Sequence, residues 1–189
     1  MRTTHILALS ASVVLIGGLA VAGVSAEFSA QHEAESTVRS IVARVAPDAT
    51  ASAIDIHGRP LFLADKGTVS TAYVDVTSGQ EKAQWIVQDY RDNTVGLLDI
   101  YVPVTLPGGP TAQPDPLPAA DGSFTDHGSV DGAEITYAAT LEDGVLTVTA
   151  DGTPVATVPL PGVTTAETVR PFVGEDGLSV NIQARNLAV

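Results

Sequence analysis

Between residues 27 and 46, the apolar residues Ala34, Val38, Ile41, Val42 and Val45 recur at helical spacing and share one face. Glu27, Glu33 and Glu35 stand early in this stretch and Arg39 and Arg44 late, the polarity a helix dipole favours. Pro47 marks the end. The pattern predicts one soluble helix over 27–46, with His32 on its polar face.

Beyond Pro47 the period changes to two. Ala72, Val74 and Val76 alternate with Tyr73, Asp75 and Thr77. Leu98, Ile100, Val102 and Val104 alternate with Asp99 and Tyr101. Ile135, Tyr137, Ala139 and Leu141 lead to Asp143-Gly144, and a further strand leads to Asp151-Gly152. Strands joined by Asp-Gly pairs predict a meander of antiparallel hairpins. Trp85-Ile86-Val87 belongs to another strand, and Leu178, Val180, Ile182 and Ala184 form the apolar side of the last one. Each strand has one apolar and one solvated face. The expected fold class is therefore α+β, with a long N-terminal helix packed on the concave face of one curved antiparallel sheet of roughly seven strands. One helical stripe is too narrow to cover such a face, which predicts surplus apolar surface. Residues 103–122 hold six prolines and predict an extended loop outside any ladder.

The chain has 189 residues and no repeat of solenoid period, so residues 27–189 read as one domain. A run without charge covers residues 6–26, preceded by Arg2. It reads either as a retained membrane anchor or as a signal peptide cleaved after Val24-Ser25-Ala26. Both place the domain outside the cytoplasm, anchored to the membrane or secreted to the cell envelope. The absence of cysteine excludes disulfides, thiolate zinc sites, a thiol nucleophile and a lipidated N-terminal cysteine. The net charge is −13; with Arg2 removed, eight basic and 22 acidic residues leave −14. That charge excludes nucleic acid as a partner and opposes adsorption to anionic lipid.

Catalytic signatures are missing from the sequence. It contains no Gly-x-Ser-x-Gly elbow, His-Glu-x-x-His pair or phosphate loop, which points to a protein without enzymatic activity, cofactor or metal. Asp121, Asp126, His127 and Asp131 lack the spacing of a calcium loop and read as a solvated acidic stretch. Carboxylate pairs for glycoside hydrolysis have no aromatic sugar platform beyond Trp85 and four tyrosines.

One stretch breaks the alternating pattern. Gly58-Arg59-Pro60 is followed by Leu61-Phe62-Leu63 and then Asp65-Lys66-Gly67, placing three large apolar residues where a surface turn is expected. Each forgoes about 1.5–3 kcal/mol if left in water, so they are covered by something. They read either as a plug over the core or as a lipid portal, with Arg59 and Lys66 flanking the apolar patch.

Gly58-Arg59-Pro60-Leu61-Phe62-Leu63, Pro159-Leu160-Pro161-Gly162, Gly177-Leu178 and Asn186-Leu187 together resemble the LmeA-like phospholipid-binding family of actinobacterial cell envelopes. Leu61 stands where that family usually carries Phe, and the proline-rich 103–122 segment is not typical of it. The resemblance implies phospholipid binding at the envelope and a fold similar to half of a tubular lipid-binding module. The expected lipid contacts are Arg59, Leu61, Phe62, Leu63 and Lys66 at the portal. Val38, Ile41, Val45, Trp85, Ile100 and Val102 are expected along the groove. A phospholipid or other membrane lipid is the expected partner, with residues 6–26 as a membrane contact if uncleaved. The alternative is a non-catalytic envelope scaffold that binds a protein through a sheet edge or the proline-rich loop.

Overall fold

In the computed structural model the described residues are 4–58, 61, 65–79, 81–106, 114–116, 126–160, 163–164 and 166–189, with 4–24 and 115–116 described by backbone alone. The chain is α+β: one helix and two antiparallel sheets, with most described residues in strands. Helix α1 runs unbroken over Thr4–Val45, 42 residues or about 63 Å at 1.5 Å per residue. It therefore starts far ahead of the expected 27–46 and merges with the apolar run. The Ala46 N–H still donates to Val42 O at 2.7 Å, and Pro47 then stops the ladder.

The strands follow in chain order: β1 (Ala49–His57), β2 (Val69–Ser78), β3 (Glu81–Tyr90), β4 (Thr94–Pro103), β5 (Asp115–Pro116) and β6 (His127–Val130). After these come β7 (Ala133–Glu142), β8 (Val145–Ala150), β9 (Thr153–Pro159), β10 (Thr168–Gly174) and β11 (Gly177–Ala188). The larger sheet has the order β1-β2-β3-β4-β11-β10 and the smaller one β5-β6-β7-β8-β9. The expected Asp143-Gly144 and Asp151-Gly152 hairpins are present, with φ of 49° and 48° at the two aspartates. Asp131-Gly132 and Asp92-Asn93 make the same two-residue, left-handed turn. Such turns match the right-handed twist of the strands they join. Gly96 in β4 answers a close approach, since a Cβ there would lie 2.9 Å from Asp89 Cβ on β3.

One core joins the helix and both sheets. Across the larger sheet the apolar ladder runs Val74↔Trp85, Trp85↔Ile100, Ile100↔Ile182. Across the smaller one Leu141 faces Leu146, and Leu146 faces Val158. Val38, Ile41, Val42 and Val45 of α1 lie buried in the same cluster as these rows.

Two expectations are corrected. A single sheet was expected, and the chain forms two: Tyr137, Leu146, Val148 and Val158 of the smaller sheet join the one buried cluster. The proline-rich segment was expected to contribute no ladder, yet Asp115 and Pro116 pair with Ser129 and Gly128. They form an edge strand, where proline's missing N–H costs no inner hydrogen bond. Residues 107–113 and 117–122 of that segment lie outside the described residues.

Candidate functional site

The clearest opening beside α1 is a half-open cleft of about 290 Å³ between the helix and the turn that follows Leu61. Ala26, Ser29, Ala30, Glu33, Ala34 and Thr37 supply the helical wall. Apart from Glu33 their side chains are small, which leaves room for the cleft. Leu61, Asp65, Lys66 and Gly67 supply the other wall. The turn is fixed locally: Thr68 donates to Asp65 O through its N–H at 3.1 Å and its hydroxyl at 2.7 Å. Gly67 takes φ +75°, as the third residue of this turn requires. The Leu61 N–H donates to Glu27 Oε1 at 3.0 Å and ties the turn to the helix. Glu33, Asp65 and Lys66 thus put two carboxylates and one ammonium around one cleft.

Of the residues expected at a portal, Leu61 and Lys66 lie together on this wall, Leu61 half-buried and Lys66 exposed. Arg59, Phe62 and Leu63 lie outside the described residues. Of the six residues expected along a groove, Trp85 and Val102 border a small gap. Val38, Ile41, Val45, Trp85, Ile100 and Val102 are buried in one packed cluster, with Trp85 only 3% exposed. The gap left at that end, beside Ala46, Trp85, Val102, Leu160 and Val163, holds about 30 Å³. That is a water's share of space, against about 300–1,000 Å³ for a small-molecule pocket. Tyr137, Leu146, Val148 and Val158 of the smaller sheet belong to the same buried cluster.

A second opening went unnoticed in the sequence. On the face of the larger sheet turned away from the core, a groove of about 430 Å³ runs past Ser52, Asp75, Lys82, Gln84, Tyr101 and Ser179. Asp75, Gln84, Tyr101, Asn181 and Arg170 stand in one row across β2, β3, β4, β11 and β10. Asp99, two pairs along on the same face, is only 5% exposed, and Asn181 Nδ2 donates to its Oδ1 at 3.4 Å. Burial pushes the Tyr101 hydroxyl pKa above its ordinary value, and the nearby Asp99 and Tyr73 add to the effect. Tyr101 meets Phe172 edge to face at 6.1 Å, and Tyr73 meets His57 the same way at 5.2 Å. The only local sign of this site was the polar and aromatic side of the alternating strands. The register that brings those residues together is a long-range property.

His127 lies 3.3 Å from Asp126 Oδ1 and 3.7 Å from Glu134 Oε1, with Thr136 Oγ1 at 3.2 Å. No group of side chains among the described residues has the arrangement to hold a metal ion. Tyr137, whose N–H donates to Asp126 O at 3.0 Å, is buried; burial and then Asp151 push its pKa up. Among the described residues, with side chains taken from Ser25 onward, no helix is long and apolar enough to cross a membrane. No protein-family model, curated protein or solved structure matches this chain.

Proposed function

We propose that this chain is an extracytoplasmic, non-catalytic lipid-binding protein of the cell envelope, which takes the polar head of a phospholipid in the cleft between α1 and the Asp65-Lys66-Gly67 turn. The observation that carries this is the cleft's position. Ala26, the last residue of the apolar run, lines it, and α1 continues without a break from that run into the domain. With residues 6–26 retained in a bilayer, the cleft opens at the membrane surface. The acyl chains then stay in the membrane and only the head group enters. This accords with a filled core and a cleft of about 290 Å³, at the small end of ligand pockets. Leu61, on the wall of the cleft, then meets the acyl-chain boundary. Glu33 and Asp65 beside Lys66 suit a zwitterionic head, with its ammonium toward the carboxylates and its phosphate toward Lys66. A domain charge of −14 opposes an anionic surface, which favours the same choice. The helix lying along a concave sheet, as in half of a tubular lipid-binding module, belongs to this proposal.

Binding a protein partner along a sheet edge has less support. The edge strand β1 is interrupted by a bulge between Ser52 and Asp55, with Ala53 at φ 44°. Pro154 and Pro159 stand in β9, and Pro171 in β10. Bulges and prolines are the usual means of blocking strand addition. The test uses full-length chain extracted in mild detergent, with native mass spectrometry as the readout. Wild type is expected to carry a phospholipid. Ala30→Trp, which fills the cleft from a half-exposed position, is expected to lose it without a change in melting temperature. Equal lipid in the two proteins refutes the cleft as the site.

A further inference from the structure

We propose that the outer face of the larger sheet binds an uncharged oligosaccharide along the diagonal Tyr73–Tyr101–Phe172. The site is separate from the lipid cleft and lies on the opposite side of the sheet from the core. The register places the three rings in line. Tyr73 pairs with Ile86, which pairs with Asp99, so Tyr101 lies two strands over and two residues along from Tyr73. Tyr101 pairs with Asn181, while Phe172 pairs with Ser179, which pairs with Pro103, so Phe172 lies one further identical step away. Each step covers two strand spacings and two residues, about 12 Å between backbones. The side chains narrow the second step, leaving the Tyr101 and Phe172 rings 6.1 Å apart. Tyr73 keeps 38% of its surface in solvent.

Sugars have an apolar C–H face and a rim of hydroxyls that both donate and accept. Aromatic rings with a polar tip suit the face, and planar amides and carboxylates suit neighbouring hydroxyl pairs. The groove beside Tyr101 offers this set: the Asp75 carboxylate, the Gln84 amide and the Ser52 and Ser179 hydroxyls, in about 430 Å³. The Asp99 bond to Asn181 fixes a further amide in the row containing Tyr101. Burial holds the Tyr101 hydroxyl protonated beyond the usual tyrosine range, so it stays a donor. Asp75 and Lys82 balance each other in the groove lining, which matches an uncharged ligand. The domain charge of −14 repels acidic polymers, including single-stranded nucleic acid, the other class that stacks on exposed rings.

The test titrates full-length chain in detergent with cellohexaose and with maltohexaose by calorimetry, alongside a neutral-glycan array. Saturable binding of an uncharged glycan is expected. Tyr73→Ala, at an exposed position, is expected to weaken it about tenfold, equivalent to ~1.4 kcal/mol. Tyr101→Phe, which keeps the ring and removes the hydroxyl, is expected to weaken it less than Tyr101→Ala does. Ala30→Trp should leave glycan binding unchanged, so this result stands or falls apart from that of the lipid cleft. No uncharged glycan bound, binding only of acidic glycans or nucleic acid, or binding indifferent to Tyr73→Ala would each overturn the proposal.

Discussion

Ile41→Ala tests whether the C-terminal part of α1 is packed into the core. Ile41 is 1% exposed and shares its cluster with Val38, Val42, Trp85 and the apolar rows of the larger sheet. Three carbon atoms are removed, which at ~0.8 kcal/mol each is ~2.4 kcal/mol of transfer free energy. Every ~40 Å³ of cavity that the neighbours fail to close adds ~1 kcal/mol, so about 3 kcal/mol is expected in all. Against a total stability of about 5–15 kcal/mol, the protein still folds and the loss is measurable. Trp85 is the only tryptophan and lies in the same core, so its fluorescence reports unfolding in urea. At ~2 kcal/mol per molar of urea the midpoint should fall by about 1.5 M. Arg39→Ala is the control, because its ion pair with Glu35 is solvent-exposed and contributes ~1 kcal/mol at most. Ile41→Asp, which buries a charge without a partner, should not fold at all. A midpoint for Ile41→Ala no lower than that of Arg39→Ala would refute the burial of this helix face in the core.

Two further outcomes are expected. The Tyr137 pKa is raised in the folded protein, so above about pH 10 the unfolded chain loses the proton first and stability falls until the folded tyrosine also ionises. Tyr137→Phe should flatten that alkaline loss in urea titrations run from pH 9 to 11, and an unchanged slope would show that this tyrosine does not contribute. Replacing 107–113 with a Gly/Ser linker while keeping Asp115-Pro116 should move the melting temperature by only a few degrees, about the effect of 1 kcal/mol in a domain of this size. A large drop in calorimetry would mean that these seven residues pack against the domain.

What the sequence made legible is local. The stripe Ala34, Val38, Ile41, Val42, Val45 is buried as expected, because helical spacing needs only neighbouring residues to be read. Asp143-Gly144 and Asp151-Gly152 turn as expected, because two left-handed residues suffice to reverse the chain. The division into two sheets was not legible. Alternation in Ile135/Tyr137/Ala139/Leu141 looks the same as in Leu98/Ile100/Val102 and carries no label for which sheet each strand joins. The apolar surplus inferred from one sheet was reckoned without the second, whose apolar residues join the same buried cluster. The helix start was misjudged for a related reason: an apolar run and an amphipathic run have different patterns but join here in one backbone ladder. The outer-face groove was hidden because Tyr101 and Asn181 are distant in sequence and adjacent only through the pairing of β4 with β11. The tie from Leu61 to Glu27 was hidden in the same way.

The place of β11 has a consequence for how the molecule is made. It is the latest of these strands in the chain, yet it is inserted between β4 and β10 rather than added at an edge. Its partners Val95, Leu98, Ile100 and Val102 lie far upstream. A chain emerging from its N-terminal end can form the β1–β4 meander early, and the β7–β9 meander soon after. Until β11 arrives, β4 remains a bare edge beside an uncovered apolar face. Closure of the larger sheet therefore waits on residues 177–188, and the long sequence separation slows it. A chain halted before that point presents an unpaired strand and exposed valines, the features that quality-control proteases and aggregation both act on. Synthesis must keep that intermediate soluble for as long as β11 is missing.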